Sequence, residues 1–270
     1  MTDVVVGAAS GMGAAVAALL APRGGTLLLA DRDEAKLEAV ANDVAAAGLA
    51  AAGTAADVRV LRCDITSAAD IDALVRAAGH LDALVVTAGL SPSMAPGRRI
   101  YEVNLIGAAA LVRACTPIVG PGSAGVLFAS MAAHLVPAAA EVDAILDDPS
   151  SPTFFADLAA LGLDPDQSQI AYAVSKRGVI RLAEREAAPW GAAGARLLSL
   201  SPGIVDTDMG RLEDANEPAM AGMVQGSALR REARPEELAA VAAFLVSDGA
   251  SFMTGTDVLV DGGVVAATRT

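Results

Sequence analysis

Short apolar runs alternate with helix-length stretches along this chain, and that rhythm restricts its fold more than any other feature. Val4–Val6, Thr26–Ala30, Val58–Arg62, Ala83–Val86, Val126–Ala129, Arg196–Leu200 and Val258–Val260 read as strands. Helices are expected over Ala14–Ala21, Asp33–Ala47, Asp70–Ala78, Arg98–Ile118, Ile170–Ala187 and Pro235–Val246. Most of the strand runs are apolar throughout, which suits a sheet covered on both faces. Strands that alternate with helices pair in parallel through crossovers. The expectation is a single α/β domain: a doubly wound parallel sheet of about seven strands with helices on both faces. A length of 270 residues is ordinary for one such unit.

Apolar residues make up 54% and aromatics only 3%, so the core must be built from Ala, Val and Leu, and disorder is excluded. Nineteen Lys and Arg stand against 32 Asp and Glu, a net charge of −13. That excludes nucleic acid and an anionic membrane surface as partners, because both need a basic face. Val4–Pro22 carries no charge, but Gly7, Gly11, Gly13 and many alanines make it too weakly apolar for a span. Asp3 precedes it where a signal peptide has a base. Two cysteines, Cys63 and Cys115, cannot build a disulfide framework, which points to a reducing cytoplasm. Neither they nor His80 and His134 have metal-ligand spacing, so no metal site is expected.

Gly7-Ala8-Ala9-Ser10-Gly11-Met12-Gly13 follows a strand and opens a helix. In that context glycines permit a sharp turn and the close approach of a pyrophosphate, and the helix start offers free N–H groups. The bland alternative is a tight strand–helix turn with no ligand. Asp31 ends the second strand, where a carboxylate can accept both ribose hydroxyls of NAD and repel a 2′-phosphate. It also suits a helix N-cap. Arg32 beside it offers the competing NADP reading. Asp64 follows the third strand and suits either an adenine amino group or a cap for the helix after Thr66-Ser67. Thr87-Ala88-Gly89 ends the fourth strand with small residues that let the chain pass beside a cofactor.

Tyr172 and Lys176 lie four apart on an expected helix and so share a face. An ammonium close to a phenol lowers the phenol's pKa, which would make Tyr172 an acid/base for an alcohol–carbonyl pair. Ser130, at the end of the fifth strand, is placed to hold the substrate oxygen. Only two of the nineteen cationic residues are lysines, so a lysine at this position is informative.

With these residues the chain resembles the short-chain dehydrogenase/reductases, over nearly its whole length. The resemblance is carried by the glycine turn, Asp31, Asp64, Ala88-Gly89, Asn104, Ser130, Tyr172-x-x-x-Lys176, Pro202-Gly203 with Thr207, and Val260-Asp261-Gly262-Gly263. It implies a Rossmann-like fold and hydride transfer between NAD and a secondary alcohol or ketone. It implies Tyr172 as acid/base, Lys176 as ribose ligand and tuner of Tyr172, and Ser130 as the residue orienting the carbonyl oxygen. Asn104 would anchor a water that links Lys176 to solvent. Cofactor contacts would come from Gly7, Ser10, Gly11, Met12, Gly13, Asp31, Arg32, Asp64, Ile65, Ala88, Gly89, Tyr172, Lys176, Pro202, Gly203, Val205 and Thr207. A homodimer or homotetramer in the cytoplasm would be usual.

Val6 stands where the family has Thr, and Thr87 where it has Asn; both departures are expected to lose a polar tie between the fourth strand and its neighbours. The interval from Ser130 to Tyr172 is also long. An insertion at 141–169, with a short helix around Phe154–Leu161, resembles the bacterial 3α-hydroxysteroid dehydrogenase/carbonyl reductase branch. Phe154 and Phe155 would anchor it, either as a wall of an apolar pocket or as a flap packed on the core. Asp147-Asp148, Asp206-x-Asp208 and Glu213-Asp214 read as caps or solvated charges. A substrate lid is expected at 206–228, rich in Met and Gly. The alternative function is an inactive NAD(P)-binding regulatory or scaffold protein, against which the Ser/Tyr/Lys/Asn set weighs.

Overall fold

Val4, Val5 and Val6 are buried on both faces of the first strand, as a central strand requires. The computed structural model describes residues 1–52, 56–137, 139–217 and 219–269. Strand β1 (Thr2–Val6) leads through α1 (Gly11–Leu20) to β2 (Thr26–Asp31), and through α2 (Glu34–Ala52) to β3 (Asp57–Arg62). Next come α3 (Ala68–Ala78), β4 (Leu81–Val86) and a long helix in three parts: α4 (Gly97–Tyr101), a π-helical stretch Glu102–Gly107, and α5 (Ala108–Cys115). Strand β5 (Val119–Phe128) is followed by α6 (Ala140–Leu146), α7 (Phe154–Ala160) and α8 (Ser168–Ala192). The chain closes with β6 (Arg196–Pro202), α9 (Asp208–Asn216), α10 (Ala219–Gly226), α11 (Pro235–Leu245), β7 (Asp257–Val260) and α12 (Val264–Ala267).

Hydrogen bonding orders the sheet β3-β2-β1-β4-β5-β6-β7, with every pair parallel. This is the single doubly wound, Rossmann-like domain expected. Side chains from alternate strand positions feed two apolar layers. Val4, Leu28, Leu84 and Leu127 meet Leu74, Leu111 and Leu182 of α3, α5 and α8. Val5, Leu29, Val85 and Leu198 meet Val16, Leu37 and Leu238 of α1, α2 and α11. Strand order reverses at β1, between β2 and β4, and such a reversal opens a crevice at the carboxyl ends of the strands. The turns after β1 and β4 both end there.

Three local features depart from the expectation. Helix α2 continues to Ala52, past Ala47 where the sequence reading ended it; residues 53–55 lie outside those described. Strand β5 starts at Val119 and not at the expected Val126, because Pro121-Gly122 forms a bulge inside the strand. Leu81 pairs with Val119 and Ala83 with Ala124, and the Ser123 hydroxyl ties the bulge to the Leu81 carbonyl at 2.5 Å. The insertion holds two helices where one was expected. Arg177 of α8 grips Asp143 of α6 with two bonds of 2.6 and 2.7 Å, and Arg181 grips Asp147 at 3.2 and 3.0 Å. Asp147 is therefore part of a clamp and not a solvated cap. Asp206 and Asp208 both pair with Arg211.

Candidate active site

The β1–α1 turn starts with Gly7 at φ +89°, where its N–H donates to Ala30 O at 2.8 Å. A Cβ on Gly7 would lie 2.4 Å from Ala88 N, and one on Gly13 2.1 Å from Gly7 O. Only glycine allows the turn and the β4 loop to come this close. The Ser10 side chain caps nothing and the first turn of α1 holds no acid. Its first N–H groups therefore face the crevice without a side-chain partner, which is the arrangement that binds a phosphate.

Thr87 corrects one expectation. Its hydroxyl lies 3.1 Å from Val6 O and 3.0 Å from Gly7 O, shared between the two carbonyls. The Thr87 and Ala88 N–H groups also donate to Val6 O, at 2.8 and 3.1 Å. The polar tie between the fourth strand and β1 is kept, made by a hydroxyl and the backbone.

The crevice is an open cleft of about 240 Å³. Of the sequence-predicted residues, it brings together Gly7, Ser10, Gly11, Met12, Gly13, Asp31, Arg32, Asp64, Ile65, Ala88, Gly89 and Thr207. Asp31 Oδ2 accepts from Ala9 N–H at 3.1 Å and Oδ1 from Asp33 N–H at 3.0 Å. The carboxylate is thus held rigidly, with spare lone pairs on both oxygens. Arg32 is exposed on the cleft wall and has no ion pair among the described residues. Asp64 accepts from the Thr66 hydroxyl at 2.7 Å and N–H at 2.9 Å. These bonds, Thr66 Oγ first, hold its carboxyl below the usual range. Ser67, not Asp64, caps α3 by accepting from Asp70 N–H. Met94, Lys36, Arg99 and Met209 also line the cleft; the sequence reading had not assigned them to the cofactor site.

At the inner end, a Cβ on Gly89 would lie 3.3 Å from both Asn104 Oδ1 and Lys176 Nζ. The π-helical stretch places Asn104 here, 2% exposed. Its Oδ1 accepts from Leu90 N–H at 2.7 Å and its Nδ2 donates to Leu90 O at 2.9 Å, which locks the β4–α4 loop. The Asn104 Nδ2 also donates to Ser175 Oγ at 3.4 Å, so both amide hydrogens are used by the chain while Oδ1 keeps a second lone pair. Ser130 leaves β5 extended, and its Oγ accepts from Ala132 N–H at 3.2 Å. His134 Nε2 lies 2.9 Å from Asp257 Oδ2, while Ser199 donates to Asp257 Oδ1 at 2.6 Å. His134 thus ties the turn after β5 to β7.

Tyr172 and Lys176 share a face of α8. The Lys176 amine is 5.9 Å from the Tyr172 ring centroid and donates to Phe128 O at 2.8 Å. Burial pushes this amine down to about 8. Burial also pushes the Tyr172 phenol up; the adjacent Ser130 hydroxyl pulls it down and the Glu213 charge adds to the rise. The direction is opposite to the sequence expectation: desolvation is the largest cause, and the Lys176 amine is turned to a carbonyl.

Asn104, Ser130, Tyr172, Lys176, Pro202, Gly203 and Val205 do not line the cleft. Gly203 N–H bonds Val260 O at 2.9 Å and a Cβ there would meet Asp261 at 2.6 Å, while Val205 bridges to Ala233. They form the floor from which Thr207 rises to cap α9, accepting from Gly210 N–H at 3.0 Å. Glu213, read from sequence as a solvated charge, has its Oε1 accept from Ser93 N–H at 2.8 Å. No pattern marks it, because the contact spans 120 residues.

A family model described as short chain dehydrogenase matches residues 2–141, and one described as enoyl-(acyl carrier protein) reductase matches residues 156–265. The chain belongs to the short-chain dehydrogenase/reductase family. It is a hydride-transfer oxidoreductase of the kind that uses NAD(P). It is 34% identical to cis-4-hydroxycyclohexanecarboxylate dehydrogenase of Sinomonas cyclohexanicum, over 97% of this chain and 96% of the relative. It is 31% identical to 3-alpha-hydroxysteroid dehydrogenase/carbonyl reductase of Comamonas testosteroni, over 73% of this chain and 78% of the relative. A short-chain dehydrogenase/reductase structure from Mycobacterium ulcerans superposes with a TM-score of 0.78 at 27% identity, covering 98% of this chain and 90% of that one. Among the described residues no helix is long and apolar enough to cross a membrane. Also among them, no group of three or more His, Cys, Asp or Glu is arranged to hold a metal ion.

Proposed function

We propose that the protein is an NAD-dependent dehydrogenase/reductase that interconverts a secondary alcohol and its ketone on an apolar, steroid-like skeleton. The observation that carries this reading is the meeting of Ser130, Tyr172 and Lys176 behind Gly89, a residue that lines the same cleft as Asp31. The free N–H groups of α1 fit a pyrophosphate and the fixed Asp31 carboxylate fits a ribose diol. A 2′-phosphate would face that carboxylate, which favours NAD over NADP despite Arg32. When bound, the dinucleotide supplies or takes the hydride. Tyr172 Oη gives a proton to the carbonyl oxygen in reduction and takes it back in oxidation. Ser130 Oγ donates to the same oxygen and fixes its position. Lys176, beneath Tyr172, provides the positive charge of the site. Gly203, Val205 and Thr207 support the nicotinamide end.

The small cluster of Met131, Ile204, Val264 and Val265 with Met220, Met223 and Val224 supports an apolar substrate wall under α9 and α10, the lid. The identity with the Comamonas testosteroni protein supports the steroid branch. Phe154 and Phe155 dock edge-on against Tyr101, at 5.5 and 5.9 Å, which supports the flap role for the insertion. Buried, unpaired Cys63 and Cys115 support a reducing cytoplasm, and a homodimer or homotetramer is the proposed state. Tyr172→Phe should abolish turnover while NADH binding stays nearly intact; retained turnover removes the assigned role. A screen of alcohols and ketones with NAD and NADP separates this reading from an inactive binding protein.

A further inference from the structure

Strand β7 is an edge of the sheet, and its first residue, Asp257, is turned inward with its side chain 8% exposed. Directly opposite it on β6 stands the buried Ser199, whose hydroxyl donates to Asp257 Oδ1 at 2.6 Å. The other oxygen, Oδ2, lies 2.9 Å from His134 Nε2 and joins residues 123 apart in the chain. A carboxylate only accepts, so the imidazole hydrogen sits on Nε2 in this bond. His134 ends the 3-10 turn Met131–His134, and Ser130 is the residue that starts it. The turn is wound on Ser130. Ser130 O accepts from Ala133 N–H at 3.0 Å, Ser130 Oγ accepts from Ala132 N–H at 3.2 Å, and Leu135 N–H donates to Ala132 O at 3.2 Å. Accepting at Oγ leaves the hydroxyl's own hydrogen free to donate outward. Where that hydrogen points depends on how the turn is held. Met131 and Ala133 pack it with buried apolar surface, whereas His134 gives it a directional bond to the sheet.

We propose that His134 is a positioning residue for Ser130: bonded to Asp257, it pins the far end of the turn to β7 and so holds the Ser130 hydroxyl where it donates to the substrate oxygen. The inference rests on the dehydrogenase reading above and adds a residue to its machinery. His134 acts through the turn alone. Catalysis depends steeply on such placement, and a displacement of about 1 Å costs on the order of a hundredfold. A turn that keeps its apolar packing shifts less than that when one pin is lost, so a fall of roughly tenfold in kcat is expected.

The test uses the best substrate from the alcohol and ketone screen. His134→Phe keeps a ring and loses the N–H, whereas His134→Gln keeps an N–H for Asp257. His134→Phe should lower kcat roughly tenfold while NADH binding, read by cofactor fluorescence, stays within about twofold. His134→Gln should recover most of the loss. His134→Phe strands a buried acid, so the double variant His134→Phe/Asp257→Leu, which removes both partners, guards against misfolding and should show the same fall. In a Ser130→Ala background, His134→Phe should change kcat by less than about twofold, because the hydroxyl it positions is gone; a general loosening would carry over in full. Amide exchange over residues 130–135 of the free protein should quicken in His134→Phe and return to the wild-type rate in His134→Gln, a readout that needs no turnover. Unchanged kcat in His134→Phe and in the double variant, no recovery in His134→Gln, an undiminished loss in the Ser130→Ala background, or equal exchange in wild type and His134→Phe overturns the proposal. If wild type turns over no alcohol or ketone with either cofactor, the dehydrogenase reading itself fails.

Discussion

Asp3 offers a test of the energetics far from the chemistry. It lies near the amino end of the central strand β1, away from the cleft at the carboxyl ends, and is 2% exposed. Arg23 Nη1 approaches its Oδ2 at 3.3 Å, but its Oδ1 is buried with no partner. Burial pushes the carboxyl up from 3.8 to about 6, more than Arg23 and the chain amine pull it down, and Asp82 adds to the rise. An acid with a raised folded pKa is at full stability below its unfolded pKa and loses stability as pH rises through the folded one. The window is therefore 3.8 to about 6. At roughly 1.4 kcal/mol per pH unit, the chain loses about 3 kcal/mol across it. Asp3→Asn removes the titration and keeps the shape. Urea unfolding at about pH 4 and about pH 7.5 should show the variant gaining 1–3 kcal/mol on wild type, as an order of magnitude, between the two conditions. Groups common to both proteins cancel in that comparison. Parallel pH profiles for the two proteins would refute the argument.

Thr87→Val should cost about 1 kcal/mol, since Gly7 O loses its hydroxyl donor while Val6 O keeps two N–H groups. A lower urea midpoint at unchanged slope is the expected result, and an unchanged midpoint would show that the hydroxyl ties nothing. The two tyrosines, Tyr101 and Tyr172, are both pushed above the ordinary phenol value by burial. An alkaline difference spectrum of the free protein should therefore show no phenolate step below about pH 10, and a step near neutrality would refute the stated balance.

The sheet was legible because its signals are local. Three valines, a glycine turn and an alanine-rich helix repeat a strand–helix rhythm that only a covered parallel sheet accommodates. The glycine pattern was legible for the same reason, since Gly7 and Gly13 answer to backbone contacts that no other residue tolerates. What escaped depends on partners distant in sequence. The α6 clamp needs Arg177 and Arg181, each 34 residues from its acid. Glu213 needs Ser93, and Asp3 is set apart only by the layer that buries it. The π-helical turn at Asn104 escaped because apolar periodicity looks the same on either side of one wide turn.

The reversal at Tyr172 follows from the same division. A four-residue interval on a helix guarantees a shared face, and that much of the Tyr172–Lys176 argument is geometry. It does not decide where a flexible ammonium points. Phe128 O, at the end of the neighbouring strand, competes for that amine and holds it at 2.8 Å. Its hold is strong because both groups are buried, and an unmatched carbonyl or amine there would be costly. The burial that brings phenol, amine and Ser130 together disfavours charge on the first two, so it pushes the phenol up and the amine down. Ser130, by contrast, acts directly on the Tyr172 oxygen and lowers it. Burial therefore opposes release of the Tyr172 proton in the free protein, and Ser130 is the group that pulls the other way.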